Sequence, residues 1–175
     1  FAESESSVQS APVSVDEVSL QEMKQVYEEV KTPFKYGVII QPAKGESVDC
    51  PNIFRGDDAW YMMYVRIKNK IGYETLLARS ENLLDWEPLG TILPFSREGW
   101  DAWQGDGGVA LIDFHWGGTA RLQSYDGKYW MSYIGGAKQG YEPDPLSIGL
   151  AWTTQPALAK SWHRLSQNPV LGPND

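Results

Sequence analysis

The stretch Asp57-Asp-Ala-Trp-Tyr-Met-Met-Tyr64 (DDAWYMMY) returns 69 residues later as Asp126-Gly-Lys-Tyr-Trp-Met-Ser-Tyr133 (DGKYWMSY). Each copy opens on turn formers and runs into an aromatic, methionine-rich segment. That pattern reads as a hairpin turn feeding a buried strand. Working outward, Leu76-Leu-Ala-Arg-Ser80 returns as Gly149-Leu-Ala-Trp-Thr153, an offset of 73 (Ala78 to Ala151). Asp85-Trp-Glu-Pro-Leu89 returns as Ser161-Trp-His-Arg-Leu165, an offset of 76 (Trp86 to Trp162), and Thr91-Ile-Leu93 as Pro169-Val-Leu171, an offset of 78 (Ile92 to Val170). Four matches in one order, with slowly growing offsets, describe a repeated unit whose second copy has longer loops.

Each unit supplies a first strand, an Asp-rich turn, an aromatic strand, a small-residue strand and a Trp strand. This is the pattern of a four-stranded antiparallel propeller blade. The expected fold is therefore all-β, about two four-stranded blades of a five-bladed β-propeller, preceded by one α-helix. Residues 1–14 are small, polar and aperiodic and read as a disordered leader. Residues 15–33 hold the helix: Ser19-Leu-Gln-Glu22 is a capping box, Leu20, Met23, Val26, Tyr27 and Val30 follow at helical spacing, and Thr32-Pro33 stops it. Residues 34–175 are the two blades. Closure takes about four to eight blades. The chain is thus expected to be the N-terminal part of a larger propeller, with the remainder, or another copy of the chain, covering its open edges.

Composition narrows the function. The net charge of −8 speaks against nucleic acid or an anionic membrane surface as partner. No apolar run reaches the 18 residues of a membrane span. One cysteine, Cys50, excludes an internal disulfide and a cysteine-rich metal site. Aromatic residues make up 13% of the chain, including 8 Trp, and such rings serve both cores and sugar-stacking platforms.

Across roughly residues 36–172, Asp-x-Pro-x-Ile-Phe, the short turn, Tyr-x-Met-x-Tyr, Ala-x-Ser, the Trp strand and Pro-Val-Leu resemble five-bladed propeller glycosidases, glycoside hydrolase family 43 and its relatives. The resemblance implies a hydrolase acting on a polysaccharide or oligosaccharide, with a first-blade aspartate as general base; the Ser-rich leader suits an exported protein, periplasmic, cell-surface or secreted. A second-blade aspartate would orient the acid, and a third-blade glutamate, expected beyond residue 175, would be the general acid. Asp49, in Val48-Asp-Cys-Pro51, matches the base, although Cys50 interrupts the family's Asp-Pro. Asp113, in Leu111-Ile-Asp-Phe-His115, resembles the second aspartate, and Asp106, in Gln104-Gly-Asp-Gly-Gly108, competes with it. Extending the offset of 69 backward sets Gly118 opposite Asp49, so Asp49 has no acidic counterpart on that alignment.

Inverting glycosidases hold two carboxyl groups about 6.5–9.5 Å apart, one ionised to activate water and one protonated. The long loop between the units supplies binding candidates: Trp103 for stacking, and Gln104 and Asp106 for sugar hydroxyls. Trp100 reads as filling between the units. His115 and Arg121, ahead of the expected second inner strand, complete the substrate-binding set. No cofactor is expected; the propeller axis has room for a structural divalent ion. The competing readings are a non-catalytic sugar-binding propeller and a glycoside phosphorylase, which would need basic residues beside Asp49.

Overall fold

The computed structural model describes residues 18–31, 37–113, 115 and 117–175, so the leader 1–14 lies outside the described residues. The chain divides into two units, residues 1–36 and residues 37–175. In the first, helix α1 (Leu20–Val30) starts where the sequence says it should. The Ser19 hydroxyl accepts from the Glu22 amide while the Glu22 carboxylate accepts from the Ser19 amide, which satisfies two orphan donors of the first turn.

The second unit is built from β-strands. β1 (Glu46–Arg55), β2 (Trp60–Lys68), β3 (Tyr73–Ser80) and β4 (Glu87–Leu93) pair in sequence, all antiparallel. β5 (Gln104–Val109), β6 (Tyr129–Gly136), β7 (Leu146–Thr153) and β8 (His163–Arg164) do the same. The two meanders form one open eight-stranded sheet, ordered β1-β2-β3-β5-β6-β7-β8 with β4 on β3.

The registers reproduce the sequence repeat. Met62 pairs with Ala78, and their counterparts Met131 and Ala151 pair with each other. Ala78 pairs with Pro88 as Ala151 pairs with Arg164, and Thr75 pairs with Leu93 as Ile148 pairs with Leu171. Offsets of 69, 73, 76 and 78 are therefore the spacings of equivalent ladder positions. The turn Asp126-Gly127 has positive φ at both residues, 52° and 69°, the type I′ geometry that matches strand twist.

Alternation along the strands makes the core. Tyr61 and Met63 on one face of β2 pack with Met131 and Tyr133 of β6 in a cluster that includes Leu77, Leu93 and Trp162. The other face of β2, Met62 and Tyr64, joins Leu76 and Ala78 under Ile40, Val48 and Trp86. Trp100 stacks on Tyr133 at 5.5 Å and packs against the first cluster.

The seam between meanders is narrow. β3 meets β5 through one parallel pairing, Tyr73 with Gln104, next to a Tyr73 amide bond to the Trp103 carbonyl of 3.0 Å. A Cβ at Gly72 would overlap that carbonyl oxygen, which is backbone and has no rotamer to escape into. Gly72→Ala is expected to cost about 1–3 kcal/mol through forced backbone movement. Denaturant unfolding measures it, and an unchanged midpoint would remove the seam's importance.

Candidate active site

The first strand of each meander carries one carboxylate at the same place. Asp49 pairs with Val65 on β2, and Asp106 pairs with Ile134 on β6. Val65 and Ile134 are themselves counterparts at the offset of 69. Asp106, not Gly118, is therefore the structural equivalent of Asp49. The alignment on Gly118 fails because 19 residues, 110–128, connect β5 to β6, whereas four connect β1 to β2. An insertion lies between the first two strands of the second copy, and an offset read downstream does not carry across it.

The two carboxylates sit side by side. The first strands touch through Asn52, whose Oδ1 accepts from the Val109 amide at 3.2 Å. Between the carboxylates stands Cys50, in a bulge of β1 with φ 52° and its thiol 4.0 Å from Asp106 Oδ2. A bulge re-aims side chains beside a site. Here it turns the Cys50 amide onto Asp49, which it meets at 2.8 Å. The backbone on both sides of Asp106 is pinned by one buried hydroxyl: Thr75 Oγ1 donates to the Gly105 carbonyl at 2.6 Å and accepts from the Gly107 amide at 2.9 Å. Such support makes a side chain's position a property of the scaffold.

A third carboxylate acts on this place. Glu142, in the connection 137–145 between β6 and β7, acts with Asp49 on Asp106. Burial first, then Glu142, then Asp49, push the Asp106 carboxyl above the ordinary carboxylate range. Burial and the three carboxylates, Asp106, Asp49 and Glu142, likewise push the Cys50 thiol up. Every charged group acting on these two residues is negative. Among the described residues, no group of three or more His, Cys, Asp or Glu is arranged to hold a metal ion. Beyond Asp49 lies an apolar hollow of about 280 Å³, lined by Val38, Ile40, Val48, Pro51, Met62 and Tyr64.

The other sequence candidates separate from this pair. Gln104 does not face a substrate with its amide: it is 1% exposed, and its Nε2 donates to the Lys138 and Gly140 carbonyls. Trp103 packs against Phe95 at 5.3 Å and is half-buried. Asp113 belongs to the 110–128 insertion, where Thr119 and His115 use up its oxygens. The Thr119 amide, then the His115 ring and the Thr119 hydroxyl, hold its carboxyl well below the ordinary range. His115 is exposed and bonds only Asp113 among the described partners of its ring, at 2.7 Å. Arg121 does not reach the Asp49 end of β1: its guanidinium pairs with Asp57 at 2.8 Å, and its backbone bridges Arg55. Arg55 is six residues along β1 from Asp49, about 20 Å at strand rise.

Two signals of the site were present in the sequence. Glycines on both sides of Asp106 permit close strand approach. The nine-residue connection carrying Glu142, against four residues in the first copy, marks a loop with a task.

Neither a family model nor a curated protein sequence matches the chain. Solved structures do. BT0996, in a complex with RGII, is 44% identical with a TM-score of 0.79, over 89% of this chain and 46% of its own. A glycoside hydrolase is 44% identical with a TM-score of 0.77, over 86% and 46%. Zg3597, a family 117 glycoside hydrolase of the marine bacterium Zobellia galactanivorans, is 14% identical with a TM-score of 0.54, over 69% and 38%, a likeness of fold alone. The chain spans about half the length of the first two structures, and its fold is one that glycoside hydrolases use.

Crowded carboxylates carry a stability cost that a site tolerates for function. A folded-state pKa raised above the unfolded value means that stability is present at low pH and lost as pH rises through the folded pKa. Asp106→Asn is therefore expected to raise the melting temperature at pH 7. That gain should fade as the pH is lowered into the carboxylate range; a loss of stability at pH 7 would contradict the burial of an uncompensated charge.

Proposed function

We propose that this chain forms two blades of a five-bladed propeller glycosidase that hydrolyses a polysaccharide or oligosaccharide by an inverting mechanism. The observation that carries the reading is that Asp49 and Asp106 hold the same register position, opposite Val65 and Ile134, on the first strands of the two meanders. A propeller's first strands converge on its axis, so equivalent carboxylates from successive blades flank one space. The two 44% matches support the hydrolase class, one being itself a glycoside hydrolase. The complex of BT0996 with RGII supports a complex carbohydrate as the substrate class and an exported enzyme that meets it outside the cell.

In this mechanism Asp49, exposed at the rim, is the general base that takes a proton from the attacking water. Asp106 takes the orienting role that the sequence suggested for Asp113. The general acid comes from a third blade, which also covers the open face of the second meander. A phosphorylase is disfavoured, since the charges acting on Asp106 and Cys50 are all carboxylates and would repel phosphate.

Loss of a positioned general base costs about 10²–10⁴-fold in turnover. Asp49→Asn, assayed in the longest polypeptide that contains this sequence, is expected to lower kcat by that factor on plant or algal polysaccharide fragments while far-UV circular dichroism stays unchanged. Turnover equal to wild type would end the assignment of Asp49, and sugar binding without turnover in either protein would make this a binding module.

A further inference from the structure

Gln104 and Asp106 are two residues apart on β5, so strand alternation sends them to the same face. Asp106 meets Asp49 and Cys50; Gln104 instead grips the connection that carries Glu142. Its amide donates to the Lys138 carbonyl at 2.9 Å and the Gly140 carbonyl at 3.0 Å. From the other side the Gly140 amide donates to the Ile71 carbonyl at 2.8 Å. Gly140 has φ 130°, a conformation that glycine alone adopts without strain. Next in the chain, Tyr141 packs its ring on Tyr73 at 5.7 Å, and Glu142 follows. The arch next to Glu142 is thus held by Gln104, by the Ile71 carbonyl and by the Tyr73 ring.

A second observation concerns the same place. Tyr73 is 4% exposed, yet its hydroxyl makes no hydrogen bond of normal geometry. Burial is the main cause holding its pKa up; the nearby Tyr141 hydroxyl, Glu142 and Asp106 add to it. A buried hydroxyl left without a partner is destabilising. Here it lies beside the carboxylates, where a polar ligand would relieve it.

We propose that Gln104 is the positioning residue of this site: its amide holds the Lys138–Glu142 arch so that Glu142 stands with Asp49 and Asp106 around one ligand space. Glu142 is then a wall of the site supplied by the second meander itself. Gln104 acts through it and touches no ligand. The proposal rests on the reading of the carboxylate cluster as the functional site but not on the reaction carried out there.

Cys50 makes the test independent of activity. It is the single cysteine of the chain, it is exposed, and its thiol sits in the field of the three carboxylates. Removing one negative charge favours the thiolate, the species that reacts with iodoacetamide. Glu142→Gln is expected to speed alkylation at pH 7.5 by about two- to threefold. Gln104→Met keeps the volume and deletes the amide; it is expected to give the same acceleration. The double variant should be no faster than Glu142→Gln alone. Gly140→Ala disturbs the arch through its backbone and supplies a second route should Gln104→Met not fold; it too should speed alkylation. A Gln104→Met protein that only loses melting temperature, with a wild-type alkylation rate, would overturn the positioning role. So would an additive double variant, since the effect would then not pass through Glu142. A null effect of Glu142→Gln would remove Glu142 from the site, while the turnover experiment on Asp49 could still succeed.

Discussion

Everything about the site depends on how closely two backbone segments approach at the seam. Tyr73 and Gln104 form the single pairing between β3 and β5, and Gly72 leaves no room there for a Cβ. That contact sets the second meander against the first. Because β5 enters next to β3, Thr75 reaches across and fastens the backbone around Asp106. The same approach brings β5 alongside β1, where Asn52 closes the gap. A small opening of the seam would separate Asp49 from Asp106 and leave the buried Thr75 hydroxyl unpartnered, so local packing and site geometry are one constraint.

Buried charge is handled in two ways in this chain. Asp101, 5% exposed, accepts from Arg164, Tyr133 and Ser96, so its negative charge is compensated by a cation and two hydroxyls. It ties the 94–103 loop to the second meander and has the partners of a structural ion pair. Asp106 has the opposite surroundings: a thiol, two further carboxylates and no cation acting on it. The first arrangement stabilises the fold. The second has no cation to compensate it, the kind of surroundings in which functional carboxylates are found.

The architecture was legible because a repeat leaves a record at every ladder position. Residues Met62 and Ala78 found their counterparts by composition alone, since a small residue opposite a large one is required wherever two strands pack in the same environment. The hairpin roles of Asp57, Asp58, Asp126 and Gly127 followed from the same comparison. The site was legible only in part. Asp49 stood out, but its counterpart did not, since an insertion of uneven length hid which aspartate shares its register. Asp113, His115 and Arg121 carried the residue types of a site. In the structure Asp113 bonds His115 and Thr119, and Arg121 pairs with Asp57.

The sequence by itself determined the repeat, the strand order within each unit, the helix with its cap and the acidic character of the chain. These are local or periodic properties, written in spacing and residue type. Tertiary structure alone decided that Asp106 shares the register position of Asp49 and that the buried Gln104 amide bonds the Lys138 and Gly140 carbonyls. Those facts rest on contacts such as Asn52 with Val109, 57 residues apart, and on where a nine-residue connection folds back. Distances of that kind have no period in the sequence, because they follow from which backbones can approach closely enough to touch.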